Sequence, residues 1–188
     1  MSTEIARKRM RIDVNRYQKM VAAGVLTRDD KIELIDGEML EMAPIGMKHV
    51  YVLSRLNKLF VFGVGDAGIV VPGCPVDVNE FSEPEPDLCV LRPRIDQYAG
   101  RHAESADVLL LIEVSDSSLA FDLGVKRALY ARAAIAEYWV ADVPGRTLRV
   151  FREPQGDEYL QQTLHLAGSG VHPLAFPALG VDVAALFP

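Results

Sequence analysis

The chain has 188 residues, 49% of them hydrophobic, with 20 basic and 26 acidic side chains and a formal net charge of -6. That length suits one domain whose core needs no disulfide or metal staple, and the acidic balance excludes a protein that coats nucleic acid through bulk positive charge. No apolar run reaches the roughly 20 residues of a membrane span, and Met1-Ser2-Thr3-Glu4 lacks a secretion signal's apolar core, so a cytoplasmic chain without membrane contact is expected. We expect one domain over residues 1–188, with 1–11 loose and 168–188 docking as a tail. The two cysteines, Cys74 and Cys89, lack metal-ligand spacing; Cys89 reads as a small buried thiol and neither is assigned a role.

In chain order, Asp13 is placed to cap a helix through Tyr17, Met20 and Val21 that stops at Gly24. Lys31–Ile35 and Glu38–Met42 flank Asp36-Gly37, a dipeptide that tolerates positive φ, and predict a hairpin. Pro44 and Gly46 break the chain before a helix over 48–60, where His49, Val52, Leu53, Leu56 and Leu59 recur at helical spacing. Short strands are expected over 69–71 and 76–78, then over 87–91, followed by a loop from Arg92 to Ala106. Val108 to Ile112 reads as a strand buried on both faces and leads through Glu113 to Ser115. Ser115-Asp116-Ser117-Ser118 then starts a helix over 119–133. Its apolar stripe is Val125, Ala128, Leu129 and Ala133, while Asp122, Lys126 and Tyr130 share another edge and point off the stripe. Strands over 137–141 and 147–151 surround a Pro144-Gly145 turn. A further strand over 159–166 and a short helical stretch over 183–186 follow. This order predicts an α/β or α+β fold, a central mixed sheet with helices on its faces, and one parallel crossover from the Glu113 strand to the next.

The carboxylate of Glu113 needs a reason. Carried ionised into a buried strand, it costs several kcal/mol unless paired or metal-bound. Pro86-Asp87 opens the preceding strand, and Lys126 lies on the helix that follows Glu113. Two readings stay open for these residues: a site of two carboxylates and an amine, or a capping Asp87 beside a plain Glu113–Lys126 salt bridge. His49 reads as a packing residue or a pocket residue, and Glu33 as a pocket acid, a cross-strand pair or a solvated edge. His102, His165 and His172 show no ligand spacing, and Tyr138 and Trp139 read as core. Three basic groups are candidate rims or solvated faces: Arg7, Lys8, Arg9 and Arg11; Arg92 and Arg94; Lys126, Arg127 and Arg132.

Taken together, Glu33-Leu34-Ile35-Asp36-Gly37-Glu38, His49, Glu85-Pro86-Asp87, Leu111-Ile112-Glu113-Val114-Ser115, Asp122 with Lys126 and Tyr130, and Glu137-Tyr138-Trp139-Val140 resemble the Uma-two family of endonucleases. That family lies in the PD-(D/E)XK restriction-endonuclease-like superfamily, and the resemblance covers roughly residues 12 to 160. It implies that Asp87 and Glu113 bind Mg²⁺ (or Mn²⁺), that Asp87, Glu113 and Lys126 are catalytic, and that Glu33 and His49 line the pocket. The usual lysine lies two residues after the second acid, where this chain has Ser115; the resemblance implies a lysine moved to the next helix, matched by Lys126. The implied activity is hydrolysis of nucleic-acid phosphodiesters, with DNA as the expected partner and a homodimer as the expected assembly. The other readings are a catalytically silent binding or assembly module and a metal-dependent hydrolase of smaller phosphate esters.

Overall fold

The structure is a computed structural model that describes residues 10–188. Helix α1 (Val14–Ala22) is capped by Asp13, whose carboxylate accepts from the Arg16 amide, and Gly24 beyond it takes φ +71°. Strands β1 (Ile32–Ile35) and β2 (Glu38–Glu41) pair antiparallel, with Asp36 and Gly37 at φ +49° and +83° in the turn. A side chain at position 37 would also meet Arg11 Cβ at 2.7 Å, so glycine is required twice over. Helix α2 (Met47–Val64) runs a turn past the expected Phe60, because Val64 still faces the core, and stops at Gly65 with φ +52°.

Strands β3 (Ile69–Pro72), β4 (Val76–Asp77) and β5 (Leu88–Leu91) follow, then β6 (Ala103–Glu104) and β7 (Val108–Ser115). β6 lies in the expected loop; two residues paired parallel with β4 leave no periodic signal. The expected helix over 119–133 is not one regular α-helix. It consists of α3 (Leu119–Phe121), a π-helical turn (Asp122–Lys126) and α4 (Arg127–Arg132), with the Arg127 amide reaching back five residues to the Asp122 carbonyl. β8 (Glu137–Asp142), β9 (Thr147–Gln155) and β10 (Glu158–His165) complete the main strands. In the last stretch, β11 (Gly170–Val171) pairs with β12 (Val181–Asp182) ahead of a 3₁₀ turn (Val183–Leu186).

Among the described residues, six strands form the main sheet in the order β10-β9-β8-β7-β5-β3, antiparallel except for the β7–β8 pair, which the crossover joins in parallel. Alternation along β7 divides the core. Leu110, Ile112 and Val114 pack with α2 residues Val52, Leu56 and Phe60 and with tail residues Val181, Val183 and Leu186. Leu111 faces the other layer, with Leu129 and Tyr130 from α4 and Tyr138 from β8. Tyr138 and Trp139 are buried on opposite faces, as core residues.

Candidate active site

Glu113 has the parity of Leu111, so it projects toward α4 and not toward α2. Strand β5 pairs Leu88 with Ile112, and the same antiparallel register carried one residue further sets Asp87 across from Glu113. Side chains so placed start about 5 Å apart on one face of the sheet. Asp87 is held in that position from two sides. Its Oδ2 accepts from the Val114 amide at 2.7 Å, and its Oδ1 lies 3.0 Å from His49 Nε2 on the first turn of α2.

Lys126 comes from the π-helical turn and is only 5% exposed. Its Nζ lies 3.0 Å from Glu113 Oε1 and 3.0 Å from Glu33 Oε2 on β1, so one ammonium joins the hairpin to the sheet. Tyr130 donates to the same Glu113 oxygen at 2.9 Å. These bonds fall on Oε1. Glu33 Oε2 also accepts from the Glu85 amide at 3.3 Å, which ties it to the approach to Asp87. Asp122, at the other end of the π turn, accepts from Ser115 Oγ at 2.6 Å and Ser118 Oγ at 2.5 Å. The extra residue in the π turn changes the angular offset between Asp122 and Lys126, and such turns recur where helical side chains are aimed at a site.

Burial lowers the proton affinity of Lys126, but Glu113, Glu33 and Asp122 outweigh it and keep the amine an ammonium. Glu113 is pushed up by burial and further by Asp87, Asp122 and Glu33, with Lys126 opposing. The carboxyl groups of Glu33, Asp87, Glu113 and Asp122 thus crowd around one ammonium. A donor set of carboxylate oxygens in that condition fits a hard divalent cation such as Mg²⁺ or Mn²⁺. For His49, burial favours the neutral ring, but the bond to Asp87 and the charges of Asp87, Asp116 and Asp122 raise its proton affinity. These groups open into a pocket of about 440 Å³ whose wall includes Glu33, His49, Asp87, Glu113, Asp116 and Lys126.

The structure thus brings Asp87, Glu113, Lys126, Glu33 and His49 into one pocket. Glu33 is neither a solvated edge nor a cross-strand partner in charge; it is 5% exposed and paired to Lys126. His49 bonds to a pocket carboxylate, which helical spacing with Val52 and Leu53 could not reveal. The expected basic rims change. Lys126 is buried, Arg127 pairs with Glu158, and Arg132 with Asp36 and Asp157. Arg94 pairs with Asp96 and Arg11 with Asp36, while Arg7, Lys8 and Arg9 lie outside the described residues. His102, without ligand spacing in sequence, lies beside Asp77 and Glu83. Asp116 was read only as part of a helix start, yet it lines the pocket; its Ser-Asp-Ser setting carries no signal beyond capping.

No helix among the described residues is long and apolar enough to cross a membrane. Among curated proteins, no significant match to the chain is found. A solved structure described as "a putative nuclease belonging to DUF820" from Anabaena variabilis ATCC 29413 superposes with a TM-score of 0.69 at 17% identity, covering 94% of this chain and 97% of that one; at that identity the likeness is one of fold. The model of the Uma2 family, described as "Putative restriction endonuclease", matches residues 14–184, and the chain belongs to that family.

Proposed function

We propose that the protein is a metal-dependent endonuclease that hydrolyses phosphodiester bonds of nucleic acid, with DNA as its substrate. The observation that carries this reading is the arrangement of Asp87 opposite Glu113 with the Lys126 ammonium on Glu113 at 3.0 Å, all on one pocket wall. Asp87 and Glu113 are the ligands for Mg²⁺ or Mn²⁺. Each oxygen of Asp87 keeps lone pairs beyond those that His49 and Val114 engage, and Glu113 offers Oε2. When bound, the cation lowers the pKa of a coordinated water and polarises the phosphoryl group.

Lys126 supplies fixed positive charge toward the non-bridging oxygens, where negative charge grows as water attacks. Glu33 anchors that ammonium from the hairpin, and Tyr130 fixes the Glu113 carboxylate. His49 and the Val114 amide set the orientation of Asp87. Ser115, in the position where the superfamily's usual lysine stands, orients Asp122 instead. A cytoplasmic homodimer is part of the same proposal.

The test is cleavage of supercoiled plasmid and of single-stranded DNA with Mg²⁺, Mn²⁺ or EDTA, beside Asp87→Ala and Lys126→Ala. Metal-dependent nicking should fall at least 100-fold in both variants while circular dichroism stays native. An undiminished rate in Asp87→Ala would sink the reading. One observation favours a second reading, a silent binding module: Lys126 is already held by two carboxylates, as in a structural ion network. In that case Mg²⁺ or Mn²⁺ should raise the melting temperature of the wild type no more than that of Glu113→Gln.

A further inference from the structure

Away from the pocket, three residues distant in sequence converge. Asp77 ends β4, Glu83 lies on the segment that leads to Asp87, and His102 directly precedes β6. One ligating atom of each lies within 4.8 Å of the others, and none of the three lines the catalytic pocket. His102 Nδ1 is 3.3 Å from Glu83 Oε2 and 3.6 Å from Asp77 Oδ1. We propose that Asp77, Glu83 and His102 form a second divalent-cation site, of the zinc class, that clips β4, β6 and the approach to Asp87 together.

The spacing leaves room for an ion: His102 Nδ1 and Glu83 Oε2 are within hydrogen-bond reach at 3.3 Å, and Asp77 Oδ1 lies beyond it at 3.6 Å. A charge-assisted imidazole–carboxylate bond closes to about 2.7–2.9 Å, shorter than either separation. Ligands at about 2.0–2.2 Å from a tetrahedral ion stand roughly 3.3–3.6 Å apart, whereas cis ligands of octahedral Mg²⁺ stand about 2.9 Å apart. The observed 3.3 and 3.6 Å match the first geometry. One imidazole with two carboxylates also suits Zn²⁺ better than Mg²⁺.

A second, independent observation comes from the buried atoms. Among the described residues, the Asp77 Oδ1 atom is shielded from solvent and makes no hydrogen bond, 3.6 Å from His102 Nδ1, while the Asp77 side chain as a whole is 36% exposed. Glu83, 4% exposed, turns its carboxylate into the same point. Gln18 of α1 donates to both Glu83 oxygens at 2.5 and 2.6 Å, the outer contact that orients a ligating carboxylate. His102 is 39% exposed at the side chain, which gives an ion a path in and leaves water as the fourth ligand.

The site's position gives it a consequence. The Glu83 amide donates to the Leu34 carbonyl at 2.8 Å, next to Glu33, and Asp87 follows four residues later. An ion held there pins the backbone on both sides of the pocket. The proposal does not depend on the nuclease reading.

Metal-stripped protein should be titrated with Zn²⁺, and with Co²⁺ for its visible bands, in the wild type, Glu113→Gln, His102→Ala and Glu83→Gln. The wild type and Glu113→Gln should each bind one tight Zn²⁺ and give intense tetrahedral Co²⁺ bands. His102→Ala and Glu83→Gln should bind at least 100-fold more weakly and lose those bands, and Gln18→Ala should lose about tenfold. Circular dichroism checks that each variant is folded; the exposed His102 makes its variant the decisive one. Equal binding and bands in the wild type and His102→Ala would overturn the proposal. So would a wild type that binds no Zn²⁺, or loss of the tight ion in Glu113→Gln with retention in His102→Ala.

Discussion

Among the described residues, Lys126 is the cation that bridges the two buried carboxylates of Glu33 and Glu113, so removing it takes the paired charge from both. Lys126→Ala should lower stability by about 3–5 kcal/mol in the absence of divalent metal, read by urea unfolding, and Mg²⁺ should restore part of that loss. Tyr130→Phe is milder. It deletes one hydrogen bond to a charged group, so it should cost about 1.5–3 kcal/mol and reduce cleavage without abolishing it. The sequence made Glu113 conspicuous because an acid interrupts an apolar strand. It left Glu33 and His49 open, because neither side chain's partner lies near it in the chain; Asp87 is 38 residues from His49 and Lys126 is 93 from Glu33.

The helical segment after β7 offers an experiment on local geometry. Gly124 lies within the π turn, and a Cβ there would meet nothing within 4 Å. Gly124→Ala should therefore stabilise the protein by about 0.5–1 kcal/mol with cleavage unchanged. Deleting Gly124 instead should regularise the turn, rotate Asp122 against Lys126 and abolish cleavage in a folded protein. Periodicity alone reads this stretch as α-helix, since the extra residue of a π turn leaves no compositional mark and is decided by packing on both sides. At the start of β7, Asp107 accepts from Arg101 at 2.7 and 3.1 Å and from the Glu104 amide at 2.8 Å. The Arg101 bond first, then the amide and the guanidinium charge, hold its carboxyl below the usual range, against burial. With the folded value depressed, this contribution is fully present above the ordinary value of 3.8 and is lost as pH falls through the folded value. Asp107→Asn should flatten the acid limb of the stability curve and leave its slope at neutral pH unchanged.

At the scale of the molecule, the last residues complete the layer over α2. Val181, Val183, Leu186 and Phe187 are buried there, and exposing four such side chains costs roughly 6–12 kcal/mol, comparable with the whole stability of a domain. A chain ending at Gly180 should show no cooperative thermal transition by calorimetry. The sequence by itself determined the mixed α/β class, the hairpin at Asp36-Gly37 and the buried β7. Those follow from periodicity, turn chemistry and apolar content, which are local properties of the chain. Only the tertiary structure decided that Asp87 stands across from Glu113, that Lys126 is buried between two acids instead of lying on a basic rim, and that His102 meets Asp77 and Glu83. Strand register and crossover geometry set which distant side chains share a point, and the free energy of those meetings belongs to pairs that no stretch of sequence contains.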